Sequence, residues 1–175
     1  MKKGNCVLRI SVILFLFAAV MSSCLKEQED PYASFTPERE ANLITSWRAQ
    51  MKKNNVKLDS FMVENTKIYF VRDTAKVGTG PNVKTGDKVT VSYTGMFLNG
   101  TTFDASNSYS YIHKDTDPQK RLIVGWEEGI EHLNKGASAV FMIPSALAYG
   151  PSGSYGGAIP PNTPLIFVIG VLDIK

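Results

Sequence analysis

Histidine and cysteine are scarce in this chain, with two of each among 175 residues. His113 and His132 have no cysteine beside them, so the sequence lacks the ligand spacing of a transition-metal site. Two stretches, 78–80 and 150–157, are rich in glycine. Neither is followed by the Gly-Lys-Ser/Thr of a phosphate-binding loop, so both are predicted to be turns. A function without metal or cofactor is therefore expected.

Net charge is also absent once the first 23 residues are set aside. The chain has 19 Lys and Arg against 16 Asp and Glu, but Lys2, Lys3 and Arg9 lie in that first segment, which has no acid. The remainder has 19 − 3 = 16 basic and 16 acidic residues. A neutral body offers no global basic field to hold a phosphate backbone. Nucleic acid is therefore not an expected partner.

Residues 1–23 have the layout of an export signal. After the positive residues, the apolar run Ile10 to Val20 is shorter than the roughly 20 residues that span a bilayer. Met21-Ser22-Ser23-Cys24 resembles a bacterial lipobox, which predicts cleavage before Cys24 and its lipidation. An ordinary secretory signal is the alternative. Because Cys6 would be removed with the signal, Cys24 would be the only thiol of an exported protein, and this favours the lipid.

The predicted location follows from that signal. We expect an exported protein, lipid-anchored to a bacterial membrane, with the outer membrane favoured and the body facing the periplasm or the surface. Residues 24–35 are polar and acidic and are typical of a tether.

Residues 36–65 are predicted to be a helical extension. Thr36 can cap a helix whose first position is Pro37 and whose end lies near Lys53. Its apolar stripe recurs every four residues, at Leu43, Trp47 and Met51. A single short helix makes a small interface, so packing on its own domain is favoured over a dimerisation arm, and a monomer is expected.

In residues 66–175 the apolar residues recur with a period of two. Four β-branched or aromatic runs, bounded by Gly, Pro or Asn, predict strands, and one short helical segment lies among them. The predicted strands are Lys67–Val71, Lys88–Tyr93, Ala137–Ile143 and Leu165–Leu172, and the predicted helix is Trp126–Leu133. The pattern indicates an α+β domain with an antiparallel sheet of about five strands.

Three clusters in this domain carry a more specific signal. The first comprises residues 91–96 (VSYTGM), 99–100 (NG) and 103–106 (FDAS), and the second is 122–129 (LIVGWEEG). The third comprises 148–150 (AYG), a glycine-rich loop, 159–162 (IPPN) and a strand with Phe167. In order and approximate spacing they resemble the FKBP family of peptidyl-prolyl cis/trans isomerases, over about 66–175.

The resemblance implies an FKBP-like sheet curved around one short helix and an enzyme acting on Xaa-Pro bonds of unfolded or exported polypeptides. It implies that Trp126 forms the floor of a proline pocket. It further implies that Ile123 N–H and the Tyr149 hydroxyl bind substrate carbonyls, with Asp104 at the rim. The implied catalytic set is Tyr93, Phe103, Asp104, Ile123, Trp126 and Tyr149, and the implied substrate-binding set is Leu122, Ile159, Phe167 and Tyr155.

These residue types suit the reaction. Rotation about a peptide bond has a barrier of roughly 18–20 kcal/mol, but no bond breaks, so neither nucleophile nor metal is needed. A site that fits the twisted amide better than either planar isomer accelerates the exchange. A dry aromatic pocket removes water from the amide, and fixed donors stabilise its carbonyl.

One stretch, 107–120, departs from the family pattern. It lacks an obvious wall aromatic, for which Tyr109 and Tyr111 are both candidates, and the part from Ser110 to Gln119 could instead be an irregular flap. A non-catalytic chaperone or partner-binding module on the same fold is therefore the alternative function. The pair Glu127-Glu128 is expected to be solvated, as carboxylates in a first helical turn usually are.

Overall fold

The computed structural model describes residues 35–175. In this part of the chain two α-helices accompany a six-stranded antiparallel sheet whose strand order is β1-β2-β5-β6-β3-β4. The helices are α1 (Pro37–Lys53) and α2 (Val124–Ile130). The strands are β1 (Asp59–Val63), β2 (Thr66–Asn82), β3 (Lys88–Phe97), β4 (Thr102–Ile112), β5 (Asn134–Ile143) and β6 (Leu165–Ile174). The predicted α+β architecture is confirmed.

The predicted N-terminal helix is confirmed as α1. The Arg39 N–H donates to the Thr36 hydroxyl at 3.3 Å, and Pro37 occupies the first turn, as the sequence predicts. The helix is tied to the body by Glu40, whose carboxylate accepts hydrogen bonds of 2.6 Å from both the N–H and the hydroxyl of Ser145. Because Ser145 is 3% exposed, this contact satisfies a buried polar group.

The sheet has one strand more than the approximate count of five, and two of its strands, β1 and β4, are not among the four runs that the sequence predicted. Strand β1 comes from the segment 36–65 and pairs with β2 from Asp59↔Phe70 to Val63↔Thr66. With five residues and half-buried side chains, β1 has too short an alternation to stand out in the sequence. It lies at one edge of the sheet and β4 lies at the other.

Helix α2 lies close to the sheet because glycine permits it. A Cβ added to Gly125 would stand 2.3 Å from Ile143 Cγ2, and one added to Gly129 would stand 3.2 Å from the Phe141 ring. The helix begins two residues before the predicted Trp126 and ends three before the predicted Leu133. Its buried Ile130 joins a core that strands β2, β3, β5 and β6 also supply.

No helix of residues 35–175 is both long and apolar enough to cross a membrane. The predicted export signal and lipidation site, residues 1–24, lie outside the described residues.

Candidate active site

A cavity of about 320 Å³ opens where α2, β3, β4 and β6 meet. Eight of its lining residues belong to the sets that the sequence predicted, and the other two are Tyr109 and Arg121. The complete lining is Tyr93, Phe103, Asp104, Tyr109, Arg121, Leu122, Ile123, Trp126, Tyr149 and Phe167. The six implied catalytic residues are therefore brought together around one space, although they come from positions 93 to 149 of the chain.

Trp126 is the centre of the aromatic wall. Its indole is 4% exposed and meets the rings of Tyr93 and Phe167 edge-on, each at a centroid distance of 5.2 Å. Its Nε1–H donates to the hydroxyl of Tyr111 at 3.0 Å. An indole held by two rings and a hydrogen bond has little freedom to rotate, so this wall is rigid.

Tyr109 and Tyr111, the two candidate wall aromatics, both take part in the site. They lie two residues apart on β4 and stack at 5.6 Å, Tyr109 against the cavity and Tyr111 behind it. Burial raises the pKa of Tyr111, outweighing the hydrogen bond from Trp126, which lowers it. Residues 107–112 thus belong to β4, with a register shift at 107–108 and regular pairing from 109 to 112, and the irregular segment begins only at His113.

Phe103 reaches the cavity over a glycine. A Cβ on Gly95 would stand 2.7 Å from the Phe103 Cζ and 2.9 Å from Phe167, closer than such atoms approach. The two rings pack edge-on at 5.7 Å above this position. Gly95 therefore provides the space in which both wall aromatics converge.

The rim of the cavity is polar. The Tyr93 hydroxyl donates to Asp104 Oδ2 at 2.7 Å. Burial, together with that hydrogen bond and the carboxylate charge, raises the pKa of Tyr93 to about 12. Burial and the charge of Asp104 also raise the pKa of Tyr149. Both hydroxyls consequently stay protonated at neutral pH and can donate hydrogen bonds.

A backbone donor lies at the start of α2. Ile123 caps this helix with an extended φ of −60° and ψ of 143°, and its carbonyl accepts from the N–H groups of Trp126 and Glu127. Its own N–H has no hydrogen-bond partner among the described residues. The residue lines the cavity, so this N–H is a candidate donor to a bound carbonyl.

The ion pair of Glu127 with Arg121, which lies in the segment around the Ile123 N–H, was not predicted from the sequence. Glu127 is 2% exposed, and both its carboxylate oxygens accept from Arg121 Nε, at 2.7 and 2.9 Å. It also accepts the N–H of Leu122 at 3.3 Å. The expectation that Glu127 is solvated was wrong, because the residues before α2 fold back over its first turn. Glu128 is partly exposed and pairs with Lys114, as a surface carboxylate would.

Two predicted substrate-binding residues are not in the cavity lining. Ile159 is 3% exposed and belongs to the hydrophobic core, whereas Tyr155 is fully exposed on the glycine-rich loop. In the described part of the chain, no group of three or more His, Cys, Asp or Glu side chains could hold a metal ion.

Comparison with known proteins identifies the family. The family model for the FKBP-type peptidyl-prolyl cis-trans isomerase matches residues 80–172, which carry β3 to β5, α2, most of β6 and every residue of the cavity lining. The chain therefore belongs to the FKBP-type peptidyl-prolyl cis-trans isomerase family.

Several relatives of known name are similar to the chain. It is 33% identical over 157 residues to the probable FKBP-type peptidyl-prolyl cis-trans isomerase FkpA of Neisseria meningitidis, an alignment that covers 85% of this chain and 57% of that protein. It is 38% identical over 100 residues to the peptidyl-prolyl cis-trans isomerase Mip of Coxiella burnetii, covering 57% and 42% respectively. The chain thus spans about half the length of these two relatives.

Solved structures show the same fold. The crystal structure of FkpA from Escherichia coli superposes with a TM-score of 0.61 at 25% identity, covering 99% of this chain and 75% of that one. A peptidyl-prolyl cis-trans isomerase from Pseudomonas syringae gives a TM-score of 0.59 at 26% identity, covering 77% of this chain and 95% of the other.

Proposed function

We propose that this protein is a peptidyl-prolyl cis/trans isomerase that accelerates rotation about Xaa-Pro bonds in exported polypeptides. The observation that carries the proposal is the aromatic cavity around Trp126. Eight of its ten lining residues are aromatic or aliphatic and suit a proline ring, and Asp104 and Arg121 add charged groups. Membership of the isomerase family supports the same conclusion.

The proposed mechanism needs no covalent step. The proline ring enters between Trp126, Tyr93 and Phe103, and water leaves the amide on its N-terminal side. The twisted amide has lost resonance and is less polar than either planar isomer, so removal of water favours it. Each tenfold acceleration corresponds to about 1.4 kcal/mol of preferential binding of the twisted state.

Hydrogen-bond donors at the rim complete the site. We assign substrate carbonyls to the Ile123 N–H and the Tyr149 hydroxyl, which are available because one lacks an internal acceptor and the other stays protonated. Asp104, oriented by the Tyr93 hydroxyl, supplies the fixed dipole beside the rotating carbonyl. Leu122 and Phe167 complete the apolar contact. Tyr155 and Ile159, which do not line the cavity, remain predicted substrate-binding residues.

The test is the rate of cis-to-trans exchange of short Xaa-Pro peptides, with the residue before proline varied. We expect acceleration that falls about tenfold or more in Asp104→Ala, since the fixed dipole beside the rotating carbonyl is removed. The matched control is Met62→Ala, which removes a 55% exposed side chain on β1, at the opposite edge of the sheet from β4.

A folded protein without any acceleration would reject the isomerase proposal. The alternative, a non-catalytic chaperone or partner-binding module, would then be tested by its ability to hold unfolded chains.

The proposed location rests on the sequence. We assign residues 1–23 to a lipoprotein signal, Cys24 to the lipid, 24–35 to a tether, 36–65 to the helical extension and 66–175 to the isomerase domain. The anchor would hold a monomeric body at a bacterial membrane, the outer one being favoured, with several acyl chains giving stable attachment. Cys24→Ser should move the protein from the membrane to the soluble fraction; a membrane-bound variant would exclude this anchor.

A further inference from the structure

A second cavity adjoins the aromatic one. It has a volume of about 600 Å³ and shares the lining residues Tyr109, Arg121 and Leu122 with the first. A ligand in the aromatic cavity would therefore find open space continuing past these three side chains. The family comparison and the proposed mechanism give this space no role.

The second cavity runs along a free strand edge. Four consecutive residues of β4, 109–112, line it. Side chains of a strand alternate between the two faces of the sheet, so a cavity that meets all four reaches the edge of the strand, although Lys88 of β3 also lines it. Among the described strands β4 pairs with β3 alone, and it is the last in the sheet.

The backbone of β4 presents unused hydrogen-bonding groups to this space. The His113 N–H donates to the Asp87 carbonyl at 2.8 Å, and the His113 carbonyl accepts from the Gly86 N–H at 2.9 Å. Both backbone groups of His113 therefore point toward the β3 side. Successive residues point their backbone groups to opposite sides, so those of Ile112 and Ser110 point away from β3. Neither has a backbone hydrogen bond to residues 115–122 in the described chain.

This stretch of β4 is regular enough to template another strand. Its register with β3 is unbroken from Lys88↔Ile112 to Val91↔Tyr109 and shifts only beyond that pair. The facing wall comes from the segment before α2 and is polar, with Asp115, Gln119 and Lys120. Extended peptides bind to many proteins by adding a strand to an exposed, regular sheet edge.

We infer that this β4 groove binds the part of the substrate polypeptide that flanks the proline, as an added strand on the free edge of β4. The inference rests on the proposed function, which puts the proline in the adjoining aromatic cavity. About four residues, or roughly 13 Å of extended chain, match the strand length that lines the groove. Since backbone groups make the contacts, the groove accepts many sequences, as an unfolded client requires.

The first test leaves the protein unchanged and alters the peptide. A fluorescent peptide carries one Ala-Pro bond and about four uncharged residues on each side, and its affinity is measured by anisotropy. Backbone N-methyl groups are then placed singly along each flank. On the flank that occupies the groove, methylation of residues facing β4 should weaken binding about five- to tenfold, and methylation of the alternate residues less than twofold.

A second test alters the edge itself. Ile112→Pro removes an outward N–H, a change that edge strands tolerate, while Ile112→Val keeps it as the matched control. We compare the affinity of the long peptide, with about four residues on each side of the Ala-Pro bond, with that of a tetrapeptide that contains the same bond. The ratio of the two affinities should fall about five- to tenfold in the proline variant and stay within twofold in the control. If the proline variant does not fold, as judged by circular dichroism, the N-methyl series decides alone.

The outcomes separate this inference from the isomerase proposal. Equal effects of N-methylation at all flanking positions, or equal affinity for long and short peptides, would overturn the β4 groove even if isomerisation is accelerated. Alternating effects without any acceleration would leave the groove in place and reject the isomerase.

Discussion

Two aromatic residues of the predicted site, Trp126 and Tyr155, have opposite surroundings. Trp126 is 4% exposed, meets two rings and donates a hydrogen bond, whereas Tyr155 is fully exposed at the tip of the loop 150–157. In that loop all four glycines adopt positive φ, Gly153 at 70°, so the backbone follows glycine torsions and not side-chain packing. The cavity around Trp126 therefore holds its aromatic rings in a fixed geometry, whereas the loop 150–157 presents Tyr155 to solvent.

The fixed region depends on polar contacts as much as on rings. Tyr111 accepts from the indole, Asp104 accepts from Tyr93, and Glu127 holds the segment that contains the Ile123 N–H. Such supporting contacts keep a site in its productive geometry. Substitutions that weaken these contacts should therefore have larger effects than a substitution in the loop.

The largest effect is expected for Glu127→Ala. It leaves Arg121 and the Leu122 N–H without their acceptor at the base of the site. Glu127 is buried, but Arg121 is 41% exposed and can regain water, so the loss comes mainly from the Leu122 N–H left without its acceptor, which lowers the free energy of unfolding by about 1–3 kcal/mol. Chemical denaturation measures it. Glu128→Ala is the matched control: its partly exposed pair with Lys114 should contribute less than about 1 kcal/mol. Equal effects of the two variants would show that Glu127 has no special structural role.

A smaller effect is expected for Tyr111→Phe. The change leaves the indole N–H buried without its acceptor, which should lower the free energy of unfolding by about 1–2 kcal/mol. It should also lower kcat/KM, because the indole is less firmly oriented. Tyr109→Phe keeps the stacked ring and serves as the control for stability. A Tyr111→Phe variant as stable as the unaltered protein would argue against this hydrogen bond.

The raised pKa of Tyr93 should make the free energy of unfolding depend on pH in the alkaline range. Its folded pKa of about 12 lies above the ordinary value of about 10, so the folded state retains a proton that the unfolded state releases. The resulting stability is present below pH 10 and is lost as the pH rises to about 12. Tyr93→Phe should flatten this fall in denaturation curves measured across the window. Parallel pH profiles of the two proteins would contradict the raised pKa.

The smallest effect is expected for Tyr155→Ala. A fully exposed side chain contributes little to folding, so the free energy of unfolding should stay within about 0.5 kcal/mol. A thermal melt measures this. A larger loss in the free energy of unfolding would mean that Tyr155 makes packing contacts that its exposure does not indicate. The loop would then resemble the cavity around Trp126 more closely.

Much of the fold could be predicted because burial leaves a pattern in sequence. The alternating runs around Ile68, Val91, Phe141 and Phe167 gave the strands, and the spacing of Leu43, Trp47 and Met51 gave α1. The short strand β1 was missed because its five residues are at most half buried. The pairing of Glu40 with Ser145 spans 105 residues, and no local pattern encodes a contact at that separation.

The site was predictable to a different degree at each residue. Trp126 and its neighbours were found through their three motifs, whereas Arg121 was missed because it lies outside them. Its partner Glu127 was misinterpreted, since a carboxylate in a first turn is solvated unless the preceding loop folds over it. Tyr109 and Tyr111 could have been assigned to one face of a strand, because they are separated by a single residue.

The most direct measurement of the central claim is the exchange rate of a short Xaa-Pro peptide with the purified protein and with Trp126→Leu, both shown to be folded by circular dichroism. We expect clear acceleration by the unaltered protein and a loss of about tenfold or more when the indole is removed, since the aromatic wall would no longer enclose the proline. Equal acceleration by both proteins would contradict the assignment of catalysis to this cavity.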